Sequence, residues 1–167
     1  MPQEKLPPPK AVRESQSEMV QVVLPNDTNP MGTVLGGIVM HHVDMVGAIA
    51  AHRHSGSYVV TASIDHVDFR CPIRVGDLIV LHASVNRVFN SSMEVGVKVF
   101  REEPITSHRK HTSSAYLTFV AIDASGKPKP VPKVIPKTAE EKRRYREAGK
   151  RRKWRLEHRR KGKAFLT

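Results

Sequence analysis

The chain has 167 residues, enough for one domain with a tail at the common size of about 100–200 residues per domain. Hydrophobic residues at 39% and charged residues at 26% exclude a disordered chain and a membrane channel, and the single cysteine, Cys71, excludes a disulfide framework and points to a reducing compartment, the cytoplasm. The net charge of +12 suggests a nucleic-acid binder until it is divided along the chain: residues 140–163 hold 13 Lys or Arg against 4 acids, and the rest only 15 against 12. The basicity belongs to a tail.

Residues 1–16, with Pro7-Pro8-Pro9 blocking helix and strand alike, read as a flexible arm. They carry no apolar stretch typical of a secretory leader, and no run in the chain approaches the roughly 18 apolar residues of a spanning helix, so no membrane association is expected. Met19–Leu24 is strand-like, and Pro-Asn-Asp-Thr-Asn-Pro over 25–30 is a loop. From Val34 to about His54 the period becomes helical. Leu35, Ile38, Val39, Val43, Val46, Ile49 and Ala50 form an apolar face, and Gly37, His41, Asp44, Gly47, Ala48 and Ala51 form a second face of mostly small residues. A helix with two faces to cover is buried, and Ser55-Gly56 ends it.

Tyr58–Phe69 alternates, placing Val59, Thr61, Ser63, Asp65, Val67 and Phe69 on one side, and β-branched runs follow over Leu78–Phe89, Met93–Phe100 and Ser113–Ile122. Residues 124–137 read as an extended Pro/Lys linker. Thr138 and the glutamates after it start a basic helical tail over 138–167. One long helix followed by strands gives an α+β fold, an antiparallel sheet packed on a helix. A single helix covers only part of such a sheet, so self-association is expected.

Asp44 is the candidate for chemistry. An unpartnered ionised acid in the middle of an apolar helix costs several kcal/mol. It is either a structural aspartate bonded to a loop or neighbouring chain, or a general base or nucleophile. Gly36-Gly37 open the same helix, where first-turn N–H groups lack intrahelical acceptors and, without Cβ atoms, can be approached by an oxygen: an oxyanion hole in outline. Gly37 and Asp44 lie two turns apart, about 10 Å along the axis, so base and hole meet at one carbonyl only if two antiparallel helices from two subunits supply them. His41, His52 and His54 match no metal-ligand signature, and no metal is expected. Cys71, before Pro72 and without a marked base, reads as a small core residue.

Several segments in this order resemble hotdog-fold acyl-CoA thioesterases of the short bacterial and animal cytosolic types. They are residues 25–32, Gly36-Gly37, Val43-Asp44-Met45-Val46-Gly47-Ala48, Val60-Thr61-Ala62-Ser63, Val75-Gly76-Asp77, Ser91-Ser92-Met93-Glu94-Val95, Ala115–Val120 and residues 126–132. The resemblance implies a single hotdog domain over 17–123, its sheet wrapped around the central helix, with active sites between subunits of a homodimer assembled further into a hexamer, a trimer of dimers. It implies Asp44 as the catalytic carboxylate, Asn29 as the residue orienting water or thioester, and Gly37 as the amide that polarises the carbonyl. Thr61, Ala62, Ser63, Asn90, Ser91 and Ser92 would line the groove for coenzyme A, which is part of substrate and product; no separate cofactor is implied. The implied reaction releases fatty acid and CoA from acyl-CoA. A non-catalytic acyl-CoA binder is the alternative within the fold. Outside it, Tyr145 and Trp154 among the tail's Arg and Lys would serve a nucleic-acid-binding module, a reading disfavoured by the nearly neutral body.

Overall fold

The computed structural model describes the backbone of residues 7–164 and the side chains of 7–158. In chain order its elements are β1 (Lys10–Ala11), β2 (Ser17–Val22), helix α1 (Gly36–Ser55), β3 (Tyr58–Ile64), β4 (Leu78–Val88), β5 (Ser92–Glu102), β6 (Arg109–Ile122), β7 (Val134–Ile135) and helix α2 (Ala139–Ala164). Five strands form one antiparallel sheet in the order β2-β4-β5-β6-β3, and β1 pairs with β7 in parallel.

Successive side chains of a strand point to opposite faces, and here each face meets a different helix. Ile79, Leu81 and Val85 of β4, Met93, Val95, Val97 and Val99 of β5, and Leu117, Phe119 and Ala121 of β6 are buried in one core with Val39, Val43, Val46, Ala50 and Ala51 of α1. The buried stripe of α1 is turned from the expected one. Leu35 and Ile49 are 45% and 38% exposed, whereas Gly47 and Ala51 of the small-residue face lie inside. Gly47 explains the turn: a Cβ there would sit 3.1 Å from Cε2 of Phe119, so the missing side chain lets the ring close on the helix. The helix ends at Gly56, whose φ of 62° is left-handed and whose N–H bonds the His52 carbonyl at 2.9 Å.

The tail is not a solvated charged helix. Thr138 and Glu141 cap α2 reciprocally, at 3.1 Å from the Glu141 N–H to Thr138 Oγ1 and 3.0 Å from the Thr138 N–H to Glu141 Oε2. The helix then docks on the outer face of the sheet over Glu94 of β5, which is 0% exposed. Arg151 donates to Glu94 Oε1 at 2.7 Å, Arg155 to Oε2 at 3.1 Å, and Asn86 Nδ2 to Oε1 at 3.1 Å. The Arg151 guanidinium also lies 3.6 Å over the Tyr116 ring, and Arg155 bonds Asp65 at 2.6 Å. Gly149 sits inside α2, where glycine costs about 1 kcal/mol against alanine; a Cβ there would collide with Arg87 Nη1.

Of the arm read as flexible over 1–16, residues 1–6 lie outside the described residues. Residues 10–15 instead form β1 and a 3₁₀ turn, because Ala11 and Val12 are apolar and buried, and buried Ser15 accepts the Val85 N–H at 2.9 Å. The linker expected over 124–137 is likewise held: Val131 is buried, its N–H bonds the Asn90 carbonyl at 2.9 Å, and β7 pairs with β1.

Replacing Glu94 by Ala leaves the half-buried Arg151 guanidinium and buried Asn86 without their carboxylate, and Arg155 with Asp65 alone. Breaking a buried ion pair from one side costs about 3–5 kcal/mol, and urea unfolding of Glu94→Ala is expected to show a loss of that size.

Candidate active site

The N-terminus of α1 is built by the loop before it. The Leu35 N–H bonds the Asp27 carbonyl at 2.9 Å and the Ile38 N–H bonds the Leu35 carbonyl at 3.0 Å. Among the described residues none accepts a hydrogen bond from the N–H of Gly36 or Gly37, and no side chain caps the helix. Gly37 is exposed, and a Cβ on it would meet nothing within 4 Å. Two donors without acceptors therefore sit at the positive end of a 20-residue helix, Gly37 in open space and Gly36 beside the Phe69 ring.

Asp44, two turns on, is half-buried rather than enclosed. It faces β3, and Thr61 Oγ1 donates to its Oδ1 at 2.7 Å. A hydroxyl holding one oxygen fixes the carboxylate and leaves Oδ2 free to take a proton or attack. The strand is interrupted there. Thr61 pairs with Phe119, but Ser63 pairs with Thr118, so Ala62 is an extra residue in a β-bulge. The expected alternation along 58–69 breaks at this point. Thr61 shares the α1 face with Phe119, while Ser63 and Asp65 pass to the outer face, where Asp65 meets Arg155 of α2. Burial pushes the Asp65 carboxyl above its ordinary pKa, against the opposing pull of Arg155.

Asn29 stands apart within the chain. Its Nδ2 donates to Thr33 Oγ1 at 2.8 Å, and its Oδ1 accepts the N–H groups of Met31 and Thr33 at 3.0 and 3.2 Å, so it closes its own loop. The Asn90–Ser92 turn lies at one end of the sheet: Ser91 O accepts the Ala121 N–H at 2.8 Å, and Ser92 pairs with Val120, which pairs with Val60 of β3. The turn and the bulged strand thus lie about 10 Å apart, two strand spacings, on either side of β6. One chain brings Asp44 and Thr61 together; it leaves Gly37 about 10 Å from Asp44 along α1 and Asn29 engaged in its own loop.

Comparison with known proteins gives the family of the chain. Residues 31–107 match the family model of the thioesterase superfamily. An acyl-CoA thioester hydrolase of Bacillus subtilis is 44% identical over 135 residues, 81% of this chain and 78% of its own length. The chain belongs to the acyl-CoA thioester hydrolases of the thioesterase superfamily. The acyl-CoA hydrolase of Staphylococcus aureus, solved with butyryl coenzyme A, coenzyme A and coenzyme A disulfide, superposes with a TM-score of 0.89 at 40% identity, covering 95% of this chain and 97% of that one. That hydrolase is also matched as variants with an aspartate, a threonine or an asparagine replaced by alanine. A hexameric acyl-CoA thioesterase superposes at 0.87 with 44% identity over 90% of this chain and 97% of its own. The architecture of this hydrolase-family chain, a curled antiparallel sheet around one long helix, is the hotdog fold.

The histidines take separate places. Among the described residues no three His, Cys, Asp or Glu side chains are grouped to share an ion. His41 is exposed beside His42, and Cys71 is half-buried. His54 is 0% exposed, its Nε2 2.9 Å from the Pro132 carbonyl, which makes Nε2 the protonated nitrogen and leaves Nδ1 buried without a partner. Burial, above all, holds His54 below its ordinary pKa, and burial with His41 nearby does the same to His42.

The unfolded chain then takes up protons near pH 6.5 that the folded chain accepts only at lower pH. Stability is full above that value and is lost as pH falls through it. Urea midpoints between about pH 7.5 and about pH 5.5 should fall with pH, and His54→Gln, which keeps an N–H for Pro132, should flatten the slope to the part that His42 supplies.

Proposed function

We propose that the protein hydrolyses fatty acyl-CoA, with Asp44 as the base that activates water or as the attacking carboxylate. The observation that carries this is the 2.7 Å bond from Thr61 Oγ1 to Asp44 Oδ1, which orients a carboxylate between the central helix and an edge strand. As general base, Asp44 takes a proton from water while the water oxygen attacks the thioester carbonyl carbon. The resulting oxyanion collapses, the C–S bond breaks, and the thiolate takes the proton back from Asp44, giving a fatty acid and CoA. As nucleophile, Asp44 would attack the thioester carbonyl and displace the CoA thiolate, forming a mixed anhydride that water then opens to the fatty acid and the free Asp44 carboxylate, its released proton going to the thiolate.

The polarising donors are the free N–H groups of Gly36 and Gly37. Since Gly37 lies about 10 Å from Asp44 along α1, the donors that serve Asp44 come from a second protomer, as does Asn29. Exposed apolar side chains support that association: Met45 at 42% on α1, Val60 at 47% and Tyr58 at 71% on β3, and β3 is an edge strand with one side of its backbone unpaired. A homodimer assembled into a hexamer covers such surfaces. The groove for pantetheine would run along Thr61-Ala62-Ser63 and the Asn90–Ser92 turn.

Release of free thiol from a panel of acyl-CoA substrates, followed with a thiol reagent, tests the reading. Asp44→Ala is expected to lower kcat by about 10²- to 10⁴-fold, the usual worth of a positioned base, with its oligomeric state unchanged; wild-type turnover in that variant overturns the mechanism. Thr61→Val should cost about 1 kcal/mol of transition-state stabilisation, roughly fivefold in kcat/KM.

A further inference from the structure

The charges of α2 divide by the side of the helix they occupy. Arg144, Arg151 and Arg155 are matched by Glu140, Glu94 and Asp65. The acids of the helix are spent in the same way: Glu140 and Glu147 pair with Arg143 and Arg144, and Glu141 caps the helix. Lys142, Arg146, Lys150 and Lys153 are exposed, and among the described residues none of them has an ion pair or a side-chain hydrogen bond. Steps of four, four and three residues put these cations on one ridge, within about 80° around the axis and about 17 Å along it. The ridge lies opposite the docked side of the helix. Its one acid is Glu157, at the far end.

Like charges four residues apart destabilise a helix. Nothing within the described molecule uses this repulsion, because Glu94 already fixes the register of α2 from the other side. An anionic partner relieves it. Trp154 stands beside the ridge and is 59% exposed, its ring stacked on His158 with 4.0 Å between centroids and 26° between planes. The stack orients the indole and leaves much of its surface to solvent. Tyr145, expected beside it as a second stacking ring, is taken by the docked side, where it lies under the Arg87 guanidinium at 4.3 Å. Leu156, 45% exposed, falls on the opposite flank of the ridge from Trp154. The outward side therefore has no continuous apolar face to enter a bilayer. A row of cations with one aromatic plane beside it complements a polymer that alternates phosphates with flat bases.

We propose that the outward ridge of α2, Lys142, Arg146, Lys150 and Lys153 with Trp154, binds single-stranded nucleic acid, its phosphates along the cations and one base on the indole. This surface is separate from the Asp44 site and does not depend on the reaction proposed there. The nearly neutral body takes no part, so the contact is an accessory one without base-specific readout.

Trp154 is the only tryptophan in the chain, so intrinsic fluorescence reads the proposed platform directly. Titration of the full chain with a short single-stranded RNA of mixed sequence is expected to quench it. Log K against log salt is expected to slope by about −3, four phosphates at about 0.7 each, and Lys150→Gln to reduce the slope to about −2. The urea midpoint of that variant is expected to equal the parent's. Trp154→Ala, followed by anisotropy of labelled RNA, is expected to bind about tenfold more weakly, the loss of one stacked base. Fluorescence that RNA leaves unchanged overturns the proposal, as does a salt slope in Lys150→Gln equal to the parent's. Displacement of the RNA by CoA also overturns it, by moving the contact to the substrate groove. Phosphatidylglycerol vesicles that shift the tryptophan emission while RNA does not would assign the ridge to an anionic lipid surface instead. None of these readings requires turnover, so a chain that binds RNA and cleaves no acyl-CoA loses the proposed function and keeps the ridge.

Discussion

A strand can show each side chain to only one side of its sheet, and β4, β5 and β6 use that restriction to serve two helices at once. Val95 and Val97 face α1 and close an apolar core, while Glu94, between Met93 and Val95, faces α2 and closes an ionic one. The two contacts differ in kind. Apolar packing on α1 is non-directional and tolerates small shifts, whereas a carboxylate with no exposed surface must be met by donors at defined positions or it destabilises the fold. The outer face therefore fixes the register of α2 along the sheet, and with it the place of every residue on that helix.

The central helix shows the same division along its length. Its interior third is committed to the sheet through Val43, Val46 and Gly47, and between them Asp44 reaches the margin, where Thr61 holds it. Its first turn carries no such commitment, and the N–H groups of Gly36 and Gly37 have no acceptor among the described residues. A helix lying lengthwise in a curled sheet cannot bend its tip back onto its middle. That rigidity is the reason the proposed mechanism draws its polarising amides and its carboxylate from different protomers.

Much of this was legible in the sequence, and the reasons are specific. The helical spacing from Val34 to His54 and the glycine pair at its start place Gly37 and Asp44 on α1, since period and helix-start signals depend only on near neighbours. The long strands and the capped start of α2 at Thr138 follow from the same kind of signal. What escaped depends on distant partners. Nothing around Glu94 separates a carboxylate facing water from one beneath a helix 57 residues further on. Leu35 and Ile49 look as suited to the core as Val39 and Val43, and only the fit of Phe119 against Gly47 decides which stripe of α1 turns inward. The 3₁₀ turn at Val12–Ser15 is invisible for a similar reason: its stability comes from β4, not from its own residues.

The surplus residue at Ala62 has a mechanical consequence. Without it, Thr61 and Asp65, four positions apart, would stand on the same side of β3. With it, one edge strand grips Asp44 on one side of the sheet and Arg155 on the other. A few residues of one edge strand thereby tie the C-terminal helix and the helix that bears Asp44 to the same short piece of backbone.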